Sequence, residues 1–339
     1  MAVPVRQPTE KTAGQRDSLA ADRVLEPYSD GSMSEVAAKA GDLPAGALAR
    51  LIGRIGRGTA VPVLGVQGGA RGWVAASLHR ALGRPLVLVA ADEEAADRLA
   101  ADVGFFLDPD EAVADRPVLR LPTDEILPWD GLSPDRTVEL DRLAALTRLH
   151  GGAPPAALVV SARALARRAL PRSLLVDAIE RIAVGATRDR DELARRLVAL
   201  GYQSVPMVED PGTFAVRGGI LDLWPPLCDR PVRLEFFGDE VESLRLFEPD
   251  TQRTLRGLAE ILVGPAREAL FTEESKRAAV AAVRDAAGRV NRPTGQIRPL
   301  IESIQEGIPA FGVEGFLPAF YEGGLDPASL WFPADAVVI

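Results

Sequence analysis

Four short apolar runs, Val61–Val66, Leu86–Ala90, Pro117–Leu121 and Ala157–Val160, are separated by stretches whose apolar residues recur three or four positions apart. Runs that stay apolar on consecutive positions suit strands buried on both faces of a parallel sheet. Between them, Val74, Leu78 and Leu82 share one helical stripe within 70–83. Ser133-Pro134 ahead of Leu140, Leu143 and Leu146, with Gly151 beyond, reads as cap, first-turn proline, helix and stop. A further helix is expected over Pro44–Ile55. Strands alternating with helices predict a doubly wound α/β domain over residues 41–172. Residues 1–34 hold no Ile, Phe or Trp but include Pro4, Pro8, Gly14, Pro27 and Gly31, so 1–40 is expected to be a disordered leader.

From about residue 173 the period changes. Asp189 and Glu192 have capping-box spacing for a helix through Leu193, Leu197 and Leu200, stopped by Gly201. Two-residue alternation then marks strands at Thr213–Arg217, Ile220–Trp224, Pro231–Phe237 and Glu240–Phe247, with Gly218-Gly219 and Gly238-Asp239 as turns. This predicts an inserted antiparallel α+β domain over 173–265. A helical pattern returns over Ser275–Arg289, and 266–339 is expected to pack back on the first domain as a second α/β segment. The chain stops inside the apolar run Leu330–Ile339, from which we expect a piece of a longer protein.

Charge and composition narrow the classes. Lys and Arg number 39 against 48 Asp and Glu, a net charge of −9 that disfavours non-specific nucleic-acid binding. No stretch reaches the roughly 18 apolar residues of a membrane helix, and residues 1–34 show neither an apolar signal core nor a small-residue cleavage pattern, so a soluble cytoplasmic protein is expected. Cys228 is the one cysteine, and with His79 and His150 it cannot assemble a zinc site or an internal disulfide. The three lysines are Lys11, Lys39 and Lys276, so amine chemistry or a phosphate-cradling lysine must come from those positions.

The turn Gly65-Val66-Gln67-Gly68-Gly69-Ala70-Arg71-Gly72 lies where a phosphate loop would join a strand to a helix. Counted from Gly65 against G-x-x-x-x-G-K-[ST], Ala70 replaces the second glycine, Arg71 the lysine and Gly72 the hydroxyl residue. No side chain there ligates Mg²⁺. Since positioning and charge neutralisation carry phosphoryl transfer, ATP hydrolysis is expected to be lost at this loop, leaving weak anion binding open. Asp92-Glu93-Glu94 imitates a metal-holding acidic pair but is equally explained as an acidic first helical turn. His79 has no partner at triad or metal spacing.

In the strand Val232–Phe237, alternation sends Val232, Leu234 and Phe236 to one face and Arg233, Glu235 and Phe237 to the other. Arg217, ending an earlier strand, is placed to join the second set. That face reads either as an interface anchor with a charged surround or as a cross-strand ion pair covering a half-buried phenylalanine. Arg163, Arg167, Arg168 and Arg172 form a basic run, and with it a direct DNA binder stays open. So does an enzyme that uses Arg71 unconventionally for nucleotide-dependent DNA remodelling.

Several blocks are specific when taken together. Leu121-Pro122-Thr123-Asp124-Glu125-Ile126-Leu127-Pro128-Trp129-Asp130-Gly131-Leu132-Ser133-Pro134, Gly201-Tyr202, the stretch from Gly212-Thr213-Phe214 to Leu223-Trp224-Pro225, Arg233-Leu234-Glu235-Phe236-Phe237-Gly238-Asp239-Glu240 and Asp250-Thr251-Gln252-Arg253-Thr254-Leu255 closely resemble the N-terminal region of the bacterial transcription-repair coupling factors, the Mfd family. Trp129 stands where relatives often have tyrosine. The Phe-Phe-Gly-Asp-Glu block also resembles the excision-repair helicase UvrB, which keeps a working phosphate loop where this chain does not. The resemblance implies a UvrB-like arrangement in which a degenerate P-loop-type parallel-sheet domain carries an inserted α+β domain that docks onto UvrA. The UvrA-contacting positions then fall on Arg217, Arg233 and Phe237. It also implies that no catalytic residue, metal or cofactor belongs to this part. RNA-polymerase binding and an ATP- and Mg-dependent translocase on duplex DNA lie elsewhere in the family's chain, whose C-terminal part masks the UvrA surface.

Overall fold

The computed structural model describes residues 45–55, 60–107, 117–127, 130, 132–151, 153–308 and 313–339, all within one compact unit, Asp42–Ile339. The expected leader, 1–40, and Trp129 lie outside the described residues. A four-stranded parallel sheet is built from β1 (Leu86–Ala90), β2 (Val118–Leu121), β3 (Ala157–Ser161) and β14 (Val337–Val338) in the order β14-β1-β3-β2. Helices α1 (Ala45–Ile55), α2 (Ala70–Leu82), α3 (Glu93–Leu107) and α4 (Arg136–Gly151) alternate with the strands.

Strand pleating divides the apolar residues between two layers. Leu86, Leu88, Ala157 and Val159 pack with Ala75 and Leu78 of α2 and Ala96 and Val103 of α3. Val87, Leu119, Leu121, Leu158 and Val160 belong to a second cluster with Leu140, Leu143 and Leu146 of α4. Both faces are covered, which is why these strands read as continuous apolar runs. The α4 cap is displaced from the expected Ser133-Pro134: the helix begins at Arg136 with Asp135 Oδ1 accepting from Thr137 N, while Ser133 Oγ donates to Glu314 across 2.8 Å.

One predicted strand is absent. Residues 61–66 form no strand, and Leu64 is 89% exposed. The free edge of β1 is taken instead by β14, through Val337 N to Pro85 O, Ile339 N to Val87 O and Val89 N to Ile339 O, each 2.8–2.9 Å. Pro62 also lacks the N–H that a ladder position needs. The glycine-rich turn therefore follows an irregular segment, which corrects the strand-loop-helix order expected from the sequence. The terminal apolar run is likewise only partly a strand, since a 3₁₀ turn over Ala328–Trp331 precedes β14.

Beyond β3 come β4 (Arg168–Ala169) with the short helices α5 (Ala162–Ala166) and α6 (Arg172–Ala178), then β5 (Glu180–Ala183) and α7 (Arg190–Ala199). The Asp189 carboxylate caps α7, accepting from Glu192 N across 2.7 Å. A six-stranded sheet follows, β6 (Gln203–Ser204), β7 (Thr213–Arg217), β8 (Ile220–Leu223), β9 (Val232–Phe237), β10 (Glu240–Phe247) and β11 (Thr254–Leu258), antiparallel except for β6 with β7. The chain returns through β12 (Glu260–Val263), which pairs antiparallel with β5, so entry and exit of this sheet run side by side. Helices α8 (Glu273–Arg289) and α9 (Thr294–Glu306) follow, and β13 (Asp326–Pro327) pairs with β4. The inner face of the antiparallel sheet, with Phe214, Leu221, Val232, Leu234 and Leu244, shares one continuous core with α4, α7 and α8.

Candidate docking face of the antiparallel sheet

Cross-strand register fixes what lies on the outer face. Ala215, Asp222, Arg233 and Arg245 form one row, and Arg217, Ile220, Glu235 and Ser243 the next. Ladder alternation thus brings Arg217, Arg233 and Phe237 to one side of the sheet, as their spacing predicts. Part of this face is covered by a second, smaller core of Val208, Ala215, Trp224 and Phe247. The remainder is open. Phe237 sits before the turn at Gly238, whose φ is +61°, and is 79% exposed. A phenylalanine so exposed on a strand otherwise half-buried or buried is unusual for a residue serving only the fold.

The residue that sequence reading missed is Asp222. Its side chain is fully buried at the border between the covered and open halves. Dehydrating a carboxylate costs several kcal/mol unless donors replace the water, and three donors do. Arg233 grips it in a fork, Nε to Oδ1 at 2.6 Å and Nη2 to Oδ2 at 2.9 Å, and Arg217 Nη2 donates to Oδ2 from the other neighbouring strand. The hydrogen bonding to Asp222 raises the Arg233 pKa above the usual arginine value, outweighing partial burial. Arg233 also lies over the Phe247 ring, 4.7 Å from its centroid, and reaches Gln252 Oε1 at 3.3 Å. The signal was there in outline: Asp222 shares its strand face with Ile220 and Trp224, a carboxylate between two apolar neighbours. Glu235 is satisfied separately, by Ser243 Oγ at 2.5 Å and Arg245 at 3.2 Å. Arg217 and Phe237 are therefore left as the outward-facing groups, with Arg217 48% exposed in its side chain and Arg233 18%.

The glycine-rich turn is placed away from this face, before α2. Gly65 and Gly68 take φ of +80° and +54°. Ala70, Arg71 and Trp73 spend their backbone N–H groups on Gln67, Gly68 and Gly69 carbonyls, and Arg71 Nε donates back to Val66 O. Gly72 is packed so tightly on α3 that a Cβ would lie 2.6 Å from the Asp102 carbonyl carbon.

Other sequence candidates have structural partners. Arg163 donates to Glu125 O, Arg168 to Leu325 O and Arg172 to Leu330 O, while Arg167 pairs with Asp124 and Glu268. The basic run thus ties chain segments together. Asp92 Oδ1 caps α3 through Ala95 N, Glu93 Oε2 holds Arg120 at 2.6 Å, and Glu94 pairs with Arg98. His79 Nδ1 lies 2.9 Å from Arg84 O. Among the described residues no group of three or more His, Cys, Asp or Glu is placed to hold a metal ion, and no helix is long and apolar enough to cross a membrane.

Comparison with known proteins follows the same lines. The family described as "UvrB interaction domain" matches residues 181–268, which run from β5 through the antiparallel sheet and β12. The chain is 50% identical over 294 residues, 86% of its length, to a transcription-repair-coupling factor of Myxococcus xanthus, of which it spans 24%. It is 34% identical over 217 residues, 64% of its length, to the transcription-repair-coupling factor of Bacillus subtilis, spanning 18% of that protein. It is also 32% identical over 251 residues, 71% of its length, to UvrABC system protein B of Chlorobium limicola, 36% of which is covered. The chain thus spans about a quarter of the length of its Myxococcus relative. These similarities, falling on a parallel-sheet layer joined to an antiparallel UvrB-type sheet, identify the chain with the UvrB-like N-terminal region of the transcription-repair-coupling factors.

Proposed function

We propose that the chain is a non-catalytic recruitment module of transcription-coupled nucleotide-excision repair, which docks the excision-repair protein UvrA through Arg217, Arg233 and Phe237. The insert 173–265 presents this surface, and 41–172 with 266–339 carries it. The observation that supports the reading best is Phe237, exposed on the same sheet face as two arginines that share the buried Asp222 carboxylate. An aromatic anchor flanked by arginine is the usual composition of an interface hot spot.

The glycine-rich turn supports the non-catalytic part. Its helix start offers few free N–H groups and no hydroxyl, and the close approach of Gly72 to Asp102 leaves no room for one. The residues present do not fit an ATP–Mg site. In this reading RNA polymerase, duplex DNA and ATP-driven translocation belong to the parts of the longer relatives outside the matched quarter.

Calorimetric titration with UvrA tests the proposal. Arg233→Ala and Phe237→Ala are each expected to weaken binding by about 1–4 kcal/mol with circular dichroism unchanged. Undiminished binding by both variants moves the interface elsewhere. Turnover of Mg-ATP abolished by Arg71→Ala revives the enzyme reading.

A further inference from the structure

We infer that Asp222 is a positioning residue for partner recognition: it never reaches the partner, but sets the direction of the Arg217 and Arg233 guanidiniums on the face that bears Phe237. The inference rests on the UvrA docking proposed above and deepens it.

The geometry is asymmetric in a way that a purely structural ion pair does not require. One carboxylate serves two arginines from strands on either side of β8, so the cluster keeps one positive charge in excess at the border of the open face. On this face Glu235 is engaged with Arg245 and Ser243, and exposed Glu240, opposite Phe237, lies two ladder rows from Asp222, so neither is paired with the cluster. Arg233 spends Nε and Nη2 on Asp222 and Gln252, and among the described residues its Nη1 makes no hydrogen bond. Arg217 spends only Nη2, leaving Nε and Nη1 without a partner among the described residues. The donors left over belong to the two guanidiniums that Asp222 fixes. A fork held at one edge offers its other edge in a set direction, which lowers the ordering cost of binding a carboxylate. The chemistry recognised is therefore an acidic side chain of UvrA next to an apolar recess for Phe237.

Gln252 completes the device. It holds a left-handed backbone, φ +57°, in the turn after β10, and its Nε2 donates to Pro249 O at 2.7 Å and Val208 O at 3.4 Å while Oε1 accepts from Arg233. Val208 packs with Phe247 in the small core, and Gln252 bonds both the Val208 carbonyl and Arg233, which itself lies over the Phe247 ring, so the small core and the orientation of Arg233 are tied together.

The test is calorimetry of the full chain with UvrA for the parent, Asp222→Asn, Gln252→Ala, Arg217→Ala and the Asp222→Asn/Arg217→Ala double variant, with urea unfolding run on each. Asp222→Asn is expected to weaken binding about tenfold or more, as expected when one partner of a buried charge pair is removed. Its effect is expected to be smaller when Arg217 is already alanine, keeping only the part that acts through Arg233, the non-additivity of residues acting as one unit. The Arg233 Nε–H resonance is expected to be shifted by the Asp222 bond in the parent and to lie in the solvent-exposed range in Asp222→Asn. Full affinity in a folded Asp222→Asn variant overturns the inference, as does an effect that simply adds to Arg217→Ala. If Asp222→Asn does not fold, Gln252→Ala decides: a several-fold loss of affinity supports positioning, and unchanged affinity overturns it. No binding by the parent chain refutes UvrA docking itself. Binding that needs Phe237 but not Asp222 refutes only the positioning role.

Discussion

Arg142 Nε donates to Glu268 Oε1 across 2.8 Å with both side chains only 1% exposed, joining α4 of the parallel-sheet layer to the segment that leaves β12. Around this pair Arg142 also donates to Pro122 O and Arg168 O, Arg167 Nη2 reaches the second Glu268 oxygen at 3.3 Å, and Glu139 Oε1 accepts from Glu268 N at 2.9 Å. Burial pulls the Arg142 pKa below its usual value, with Glu268 opposing. It works against Arg167 as well, but there the Glu268 and Asp124 charges outweigh it and raise the pKa. Each member is therefore tolerable only with its partners in place.

Glu268→Gln and Arg142→Met are each expected to cost about 3–5 kcal/mol, because each strands a buried charge. A combined Arg142→Met/Glu268→Gln variant is expected to recover at least half of the summed loss, the mark of a coupled pair. Urea unfolding measures both. A double variant no better than the sum of its singles refutes the pairing as the source of the cost.

Gly72→Ser restores the hydroxyl of a phosphate loop in sequence, but its Cβ would lie 2.6 Å from backbone of α3. The expected outcome is a loss of about 1–3 kcal/mol in stability from overpacking, with no gain of nucleotide affinity. A variant of parental stability that binds Mg-ATP contradicts both parts.

Leu88→Ala is expected to destabilise by about 2–5 kcal/mol, since Leu88 is buried between β1 and the α2–α3 side. Leu64→Ala is expected to fall within about 0.5 kcal/mol, as for exposed positions generally. Equal costs at the two sites place residues 61–66 in the sheet after all, and denaturant midpoints decide it.

The Cys228 thiol is pushed up to about 11, first by burial and then by the Asp229 charge. Between the unfolded value near 9 and that folded value, the unfolded chain releases a proton that the folded chain keeps. The contribution of this group to stability is thus fully present below pH 9 and is lost as pH rises toward 11. Iodoacetamide at pH 8 is expected to alkylate native Cys228 on the order of 100-fold more slowly than the urea-unfolded chain. Matched rates remove burial as the cause.

Much of the fold was legible because it is written in local periods. Consecutive apolar residues marked β1, β2 and β3, two-residue alternation marked β7 to β10, and alternation alone placed Arg233 and Phe237 on the outer face with Arg217 within reach. The N-cap of α7 was equally local, one side chain and one backbone N–H three residues on. Where local signals were ambiguous the reading failed. Val61–Val66 is as apolar as β1, yet it holds no place in the sheet because Val337–Val338 occupies the edge of β1.

Local sequence settled β1 to β3, β7 to β10 and most of the helices, which face of β9 is polar, that the glycine-rich turn lacks lysine and hydroxyl, and which family the chain resembles. Tertiary structure decided the long-range choices: β14 over residues 61–66 at the sheet edge, Asp222 as the shared partner of two arginines, and Glu268 as the hub between the layers. The physical reason is range. Periodicity and caps act within a few residues, whereas the partner of a buried charge or the occupant of a sheet edge is selected by competition among residues up to some 250 positions apart, such as Pro85 and Val337.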